Sequence, residues 1–277
     1  MRRLMVFTNL DGSLLDSVTY SWEPARPALD LLRALAVPIV LVSSRTKMEL
    51  EQVRRRLELE DPFVIENGGA VYLPERSAAT AASVDRTPVR YRAVEFGTPY
   101  GALRQALHTI SEEAGVEVRG FGDMEVEEIA DRTGLSSEEA KLAKQREYDE
   151  PFLIEGSTNS APHVLKAIRG QGLHWTRGGR FFHLTGDNDK GAACGFLLDW
   201  YLREGLSGLR RQDVVTVGIG DSLSDAPLLR QVDFPILVRR PDGSYDAAVE
   251  APNLVYAQGS GPVGWGMAVM NVLRAIG

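Results

Sequence analysis

The stretch LMVFTNLDGSLL, residues 4–15, decides the fold of this chain. It begins with an apolar run that is as long as one buried β-strand. The run stops at Asn9, which is the first of the turn-forming residues NLDG. In a parallel sheet, side chains that follow the buried strands collect at the carboxyl edge, where ligands bind. The stretch therefore predicts a buried strand of a parallel sheet with a functional site at its end.

Strand and helix patterns alternate from there onward. Apolar residues at helical spacing predict a helix over residues 23–35, and the apolar run at 37–42 predicts a second buried strand. A further helix at 47–57 and a strand at 63–65 follow. Strand–helix–strand units of this length make right-handed crossovers, so they build a parallel sheet.

The pattern changes in the middle of the chain and later resumes. Residues 77–83, SAATAAS, have the composition of a linker or exposed loop. Beyond them the patterns predict helices at 100–114, 140–144 and 161–170 and strands at 148–155 and 175–184, the last bent at a glycine pair. Alternation of helix and buried strand resumes after residue 186.

The fold class follows from this division. We predict an α/β protein with a Rossmann-like, doubly wound parallel-sheet core, formed by residues 1–84 and 187–277. An α+β cap domain, residues 85–186, is expected to be inserted between the two halves of the core.

Composition limits the partners and the compartment. The 277 residues carry 31 basic and 38 acidic side chains, a net charge of −7, which argues against a nucleic-acid or anionic-membrane surface. The single cysteine, Cys194, excludes an internal disulfide and is consistent with a reducing compartment. No apolar run approaches the roughly 20 residues of a membrane span. We expect a cytoplasmic protein with a small-molecule substrate; the oligomeric state cannot be read from the sequence.

The first strand end carries the pattern of phosphoryl transfer through an aspartyl-phosphate. In that chemistry the first carboxylate of an acid-x-acid-Gly motif attacks phosphorus, and the second donates a proton to the leaving oxygen and then activates water. Asp11 occupies the second position, whereas Asn9 occupies the position of the nucleophile.

Other predicted strand ends and helix starts supply the remaining parts. The hydroxyl groups of Ser43 and Ser44 are suited to phosphoryl oxygens, with Arg45 beside them, and Lys190 at a helix start supplies a compact positive charge. Asp221 and Asp225, four residues apart at a strand-to-helix turn, predict a Mg²⁺ site that also includes Asn9 and Asp11.

Each of these signals is weak when taken alone. The residues Asp-Gly-Ser also form ordinary turns, and a lone lysine at a helix start is more often solvated. Gly218 and Gly220 resemble the start of a dinucleotide-binding motif, but Leu223 occupies the place of the third glycine. Their order along the chain, each at a strand end or helix start, makes a chance coincidence improbable.

The complete set resembles the haloacid dehalogenase superfamily of Mg²⁺-dependent phosphatases with a large inserted cap. Within that superfamily the chain is similar to the mannosyl-3-phosphoglycerate phosphatase family, and the similarity runs through nearly the whole chain. The motifs that carry it are FTNLDG at 7–12, SSRT at 43–46, ENGG at 66–69, REYDE at 146–150, GGRFFH at 178–183 and GDSL at 220–223.

The resemblance implies a substrate and further site residues. The substrate would be a mannosyl- or glucosyl-3-phosphoglycerate, and the products a glycosylglycerate, used as a compatible solute, and phosphate. By the same resemblance the substrate-binding residues are Arg45, Glu66, Asn67, Gly68, Arg146, Arg180 and His183. Arg146, Arg180 and His183 would receive the substrate's carboxylate.

Structural interpretations of these residues remain open alternatives. Arg146 would pair with Glu147 or Asp149 on a solvated face, His183 would be a packed histidine, and residues 66–69 would form only a strand-end turn.

The sequence departs from the family pattern at three positions. Arg45 stands where the family commonly has lysine, Ser224 stands where it has asparagine, and Asn9 replaces the nucleophile. Asn9 leaves three hypotheses: a phosphatase whose nucleophile has been replaced, a divergent enzyme in which Asp11 activates water directly, and a non-catalytic binder or regulator. A generic sugar phosphatase is the nearest enzymatic alternative.

Overall fold

A computed structural model describes residues 2–75, 90–155, 160–178, 181–205 and 208–276. The predicted loop at 77–83 and the predicted substrate residue Arg180 lie outside the described residues.

The larger of two sheets has eight strands in the order β12-β11-β10-β1-β2-β3-β4-β5. The first six in that order are parallel, β4 is antiparallel to β3, and β5 is antiparallel to β4. The strands are β1 (Arg3–Thr8), β2 (Ile39–Val42), β3 (Phe63–Ile65), β4 (Ala70–Pro74), β5 (Tyr91–Glu95), β10 (Val214–Gly220), β11 (Phe234–Arg239) and β12 (Val255–Ser260).

Helices cover both faces of this sheet, as a doubly wound fold requires. In β1, Leu4 and Val6 pack with one set of helices, whereas Met5 and Phe7 pack with the other, because successive side chains of a strand face opposite ways. The first set is α1 (Arg26–Ala34), α2 (Lys47–Arg56) and α9 (Gly261–Ile276), and the second is α7 (Lys190–Trp200) and α8 (Ala226–Leu229). The predicted fold class is confirmed.

The smaller sheet has four antiparallel strands in the order β6-β7-β9-β8. Two groups of helices pack against its strands in separate hydrophobic clusters. The elements are α3 (Tyr100–Ala114), β6 (Val118–Gly120), α4 (Val126–Thr133), α5 (Ser137–Ala143), β7 (Glu150–Ile154), α6 (Ala161–Gly170), β8 (His174–Gly178) and β9 (Phe181–Thr185). The bent strand predicted at 175–184 is in fact two antiparallel strands, β8 and β9.

The start of the insert differs from the prediction. The division at residue 84 assigns β5 to the cap, yet β5 hydrogen-bonds with β4 along five residue pairs of the larger sheet. The chain therefore leaves the large sheet after Glu95, because β4 and β5 form an antiparallel extension of the core. The rest of the domain division stays a prediction. No helix within the described ranges is long and apolar enough to cross a membrane.

Candidate active site

The register of the parallel strands brings distant polar residues to one edge. Thr8 at the end of β1 pairs with Ile219 of β10 on one side and with Leu41 of β2 on the other. The residues that follow these strands, beginning at Asn9, Ser43 and Asp221, therefore meet at the carboxyl edge of the sheet. We call Asn9, Asp11, Lys190, Asp221 and Asp225 the strand-end centre.

Asn9 and Asp221 are joined directly. Nδ2 of Asn9 donates to Oδ1 of Asp221 at 2.8 Å and to the backbone carbonyl of Asp11 at 3.0 Å. Ser13 adds a weaker contact, its Oγ lying 3.3 Å from the same carboxylate oxygen. Gly12 is required here, because it has a φ of +78° and a Cβ would lie 2.6 Å from Oδ2 of Asp221.

Asp221 is a carboxylate with few compensating charges. Burial raises its pKa to about 7, and the neighbouring carboxylate of Asp225 adds to the rise. The hydrogen bond from Asn9 and the charge of Lys190 oppose that shift without cancelling it. A cation that approaches Asp221 would therefore stabilise its ionised form.

Lys190 and Asp225 form a buried ion pair. Nζ of Lys190 lies 2.6 Å from Oδ1 of Asp225, and the side chains are 2% and 0% exposed. The other carboxylate oxygen of Asp225 accepts the backbone N–H groups of Asp221 and Ser222 at 3.0 and 3.2 Å. Asp225 therefore fixes both the lysine and the loop that carries Asp221.

Asp11 is held by Arg45 in a two-pronged ion pair. Nε and Nη2 of Arg45 lie 2.8 and 2.6 Å from the two oxygens of Asp11. The ring of Tyr20 stacks on the Arg45 guanidinium, with 5.2 Å between Cζ and the ring centroid. Sequence reasoning missed Tyr20, which lies in a short loop with no motif of its own.

The predicted phosphate-binding serines lie next to the same edge. Ser43 is 1% exposed, and its Oγ accepts the backbone N–H of Arg45 at 3.2 Å, while its own N–H donates to Val64 in β3. The carbonyl of Ser44 accepts a hydrogen bond of 2.7 Å from Arg146. The phosphate-binding role of both serines stays a prediction.

A second polar cluster lies where the insert meets the core. We call Glu66, Asn67, Arg146, Asp149 and His183 the core–cap junction. The turn at residues 66–68 follows β3 of the core, and both Glu66 and Asn67 have left-handed φ values, 45° and 58°. A Cβ at Gly68 would lie 2.2 Å from the carbonyl oxygen of Asp189, so this turn contacts the start of α7.

The carboxylate of Glu66 binds backbone N–H groups instead of facing an open surface. Its carboxylate oxygens accept the N–H of Glu147 at 3.0 and 3.1 Å and that of Tyr148 at 2.7 Å. Burial raises the pKa of Glu66 to about 8; the charge of Arg146 opposes this rise, and that of Asp149 adds to it. The side chain that the resemblance assigned to substrate thus ties the insert to the core.

Arg146 and His183 have different kinds of partner: Arg146 binds backbone carbonyls, and His183 binds a carboxylate. Arg146 donates to the carbonyls of Ala143 and Ser44, at 2.8 and 2.7 Å, instead of pairing with an acid on a solvated face. Nδ1 of His183 lies 2.9 Å from Oδ1 of Asp149, which is fully buried. Asp149 lies in the REYDE motif at 146–150, but the sequence predicted no role for it beyond a possible ion pair with Arg146.

Only some of the four predicted magnesium ligands lie next to one another. Among the described residues, no three His, Cys, Asp or Glu side chains form a metal-binding group. Asp11 faces Arg45, Asp225 faces Lys190, and position 9 has an amide. The donor types still fit a hard cation, because Asp221 and Asn9 are adjacent oxygen-bearing side chains and the partly buried Asp221 lacks a full counter-charge.

Comparison with solved structures gives the fold. A phosphatase of the haloalkanoate (HAD) superfamily from Bacteroides thetaiotaomicron has a TM-score of 0.66 at 15% identity, over 99% of this chain and 95% of that one. This likeness concerns the fold, which is that of HAD phosphatases with a cap domain. No family model matches the chain.

Comparison with curated proteins gives the family. The chain is 42% identical over 269 residues to a glucosyl-3-phosphoglycerate/mannosyl-3-phosphoglycerate phosphatase from Methanococcoides burtonii, with 97% of each protein covered. A protein of the same name from Persephonella marina is 35% identical over 274 residues, covering 99% of this chain and 98% of that protein. The chain belongs to this phosphatase family, and the resemblance drawn from the motifs is confirmed.

Proposed function

We propose that this chain has the site of a Mg²⁺-dependent phosphatase for glucosyl- or mannosyl-3-phosphoglycerate, which would release phosphate and a glycosylglycerate compatible solute in the cytoplasm. The observation that carries the proposal is the direct contact between position 9 and Asp221 at the carboxyl edge of the sheet, where the charge of Lys190 also acts on Asp221. The names of the two curated relatives support this substrate class.

The residues would divide the chemistry as follows. An aspartate at position 9 would attack phosphorus and release the alkoxide of the glycerate, and Asp11 would give that oxygen a proton. Asp11 would then take a proton from the water that hydrolyses the aspartyl-phosphate. Lys190 and the hydroxyl of Ser43 would bind the phosphoryl oxygens.

A magnesium ion would be held by Asp221, Asp11 and the side chain at position 9. It would neutralise charge on the transferring phosphoryl group. Asn9 can offer its amide oxygen to a cation only by turning the amide, because Nδ2 now faces Asp221. An amide is also a poor nucleophile, so we expect this chain to be strongly impaired in turnover.

Replacement of Asn9 by aspartate tests the proposal. Phosphate release from mannosyl- and glucosyl-3-phosphoglycerate is measured for the chain and for Asn9→Asp, with Mg²⁺ and with EDTA. By analogy with removal of nucleophiles from other enzymes, Asn9→Asp should raise the rate by about 10⁴- to 10⁶-fold. EDTA should abolish that gain, and Asn271→Asp, the same change at an exposed position, should gain nothing.

Two outcomes would contradict the proposal in different ways. If Asn9→Asp releases no phosphate from any phosphoglycerate or sugar phosphate, the enzyme proposal fails and a non-catalytic binder remains. If the unmodified chain already turns over at an ordinary phosphatase rate, the amide does not limit the reaction.

A binding function has one specific observation in its favour. The hydrogen bond from Asn9 to Asp221 replaces the repulsion that two carboxylates would have there, so the centre is stable without a metal. Calorimetric titration of the unmodified chain with mannosyl-3-phosphoglycerate tests this function, since binding without turnover supports it.

A generic sugar phosphatase would differ in its recognition of the glycerate part of the substrate. His183→Ala should raise KM for a phosphoglycerate substrate far more than for p-nitrophenyl phosphate, measured in the Asn9→Asp background. Equal effects on both substrates would favour the generic enzyme.

A further inference from the structure

One buried carboxylate, Asp149, contacts both the core and the cap. Its oxygens lie 2.9 and 3.1 Å from Nδ1 of His183, which belongs to β9 of the smaller sheet. Oδ2 also accepts a hydrogen bond of 2.8 Å from Nδ2 of Asn67, in the turn after β3 of the larger sheet. Asp149 has no solvent exposure, so these protein groups are its immediate surroundings.

The contact fixes the orientation of the His183 ring. Burial works against ionisation of Asp149, but His183, Arg146 and the hydrogen bond from Asn67 together hold the pKa of Asp149 below its usual value. An ionised carboxylate only accepts hydrogen bonds, so Nδ1 of His183 is the donor. Nε2 then lies on the opposite side of the ring, and the side chain keeps 12% exposure.

Asn67 extends the same contact to the phosphate side of the site. Its backbone N–H donates to the carbonyl of Ser43 at 2.9 Å. The next residue, Gly68, packs against the backbone of Asp189 and Lys190 at the start of α7. We call Ser43 and Lys190 the phosphate-binding wall. A displacement of Asp149 would therefore change the position of His183 relative to this wall.

We propose that Asp149 is a positioning residue that holds His183 of the cap at a fixed place relative to the phosphate-binding wall of the core, with Nε2 presented to the carboxylate of a phosphoglycerate. This inference rests on the proposed function. Its physical reason is that the phosphate and carboxylate of such a substrate are joined covalently, so the groups that receive them must be joined rigidly too.

A neighbouring residue supplies a matched control. Glu150 is also fully buried, but its carboxylate binds Tyr100 at 2.7 Å and the N–H of Gly122 at 3.0 Å, all within the cap segment. Asp149→Asn and Glu150→Gln thus each neutralise one buried carboxylate, and only the first touches His183.

The first measurement is the ¹⁵N signal of the His183 ring in the ligand-free chain. In the parent, Nδ1 should carry the proton. In Asp149→Asn the amide has one acceptor oxygen, for which Asn67 competes, so the Nδ1 signal should shift toward that of an unprotonated nitrogen. Glu150→Gln should leave the signal unchanged.

The second measurement is calorimetric binding of mannosyl-3-phosphoglycerate and of inorganic phosphate. Asp149→Asn should weaken the first by about 10- to 100-fold, as for the loss of a hydrogen bond to a charged group, and change the second little. Glu150→Gln should change neither.

The inference is overturned if Asp149→Asn leaves the His183 signal unchanged, or if it weakens both ligands equally. If the parent binds phosphate but not mannosyl-3-phosphoglycerate, the proposed function fails instead, and the His183 signal alone decides the positioning role.

Discussion

The strand-end centre and the core–cap junction contain the same pair of side chains in different surroundings. In each, an asparagine Nδ2 donates to an aspartate at 2.8 Å: Asn9 to the partly buried Asp221 in the centre, and Asn67 to the fully buried Asp149 in the junction. Yet the pKa of Asp221 is raised to about 7, whereas that of Asp149 is lowered.

The neighbouring charges explain this difference. Asp221 is partly buried beside a second carboxylate, Asp225, one oxygen of which is paired with Lys190. Asp149 is buried beside His183 and Arg146, which outweigh the cost of burial. Burial alone therefore does not set the charge state of a carboxylate. The centre keeps a carboxylate, Asp221, whose charge a cation can compensate, whereas in the junction His183 and Arg146 already compensate the charge of Asp149.

The largest effect is expected for the buried ion pair of the centre. Lys190→Ala leaves the charge of Asp225 unpaired, which should lower the free energy of unfolding by about 3–5 kcal/mol. Lys190→Met keeps the apolar stem and should lose a similar amount, and Lys141→Ala, on an exposed helix face, should lose little. Urea denaturation measures all three, and a loss below about 1 kcal/mol in Lys190→Ala would show that the pair is not buried as described.

The junction should respond next most strongly. Glu66→Ala removes the acceptor of the Glu147 and Tyr148 N–H groups, and each unsatisfied donor costs about 1–3 kcal/mol. Glu58 is the matched control, because it is an exposed glutamate that also has a left-handed φ, 52°. If urea denaturation gives the same loss for Glu58→Ala, backbone strain and not the hydrogen bonds would be the cause.

The shared asparagine–aspartate pair gives the sharpest test of the comparison. Asn9→Asp and Asn67→Asp each replace a hydrogen-bond donor by a second acid beside an aspartate, and in EDTA each should lower the free energy of unfolding by about 1–3 kcal/mol. Mg²⁺ should restore the thermal midpoint of Asn9→Asp but not that of Asn67→Asp. Equal recovery, or none in either variant, would show that the two regions do not differ in their affinity for a cation.

The smallest effect is expected over a single pH unit and comes from the titration of Glu66. The folded chain keeps a proton on Glu66 up to a pKa of about 8, whereas the unfolded chain loses it near the ordinary glutamate pKa of 4.5. Stability should therefore fall as pH rises across this window, by at most about 1.4 kcal/mol per pH unit. Glu66→Gln should flatten the decline, measured by urea denaturation between pH 5 and 8; an unchanged slope would assign the decline to other groups.

The sequence by itself determined the core of the fold and most of the centre. Buried runs such as residues 214–219 are apolar throughout, and their polar ends lie within a few residues of them, so local pattern and parallel topology suffice. The positions of Asn9, Asp11, Lys190, Asp221 and Asp225 followed from that pattern. The insert was predicted less accurately. The apolar pattern did not separate β8 from β9, because the two strands follow each other closely in the sequence. The predicted boundary at residue 84 also assigned β5 to the cap, although β5 pairs with β4 in the core sheet.

Only the tertiary structure decided how the polar groups are paired. Glu66 lies 81 residues from the Glu147 N–H that it binds, and Asn67 lies 82 residues from Asp149. Contacts of this kind leave no periodicity in the chain, because they depend on how the insert docks against the core. The Arg45–Asp11 pair likewise depends on the adjacency of β1 and β2. Sequence thus placed the reactive groups at the sheet edge, and packing determined which of them are neutralised and which remain to be compensated.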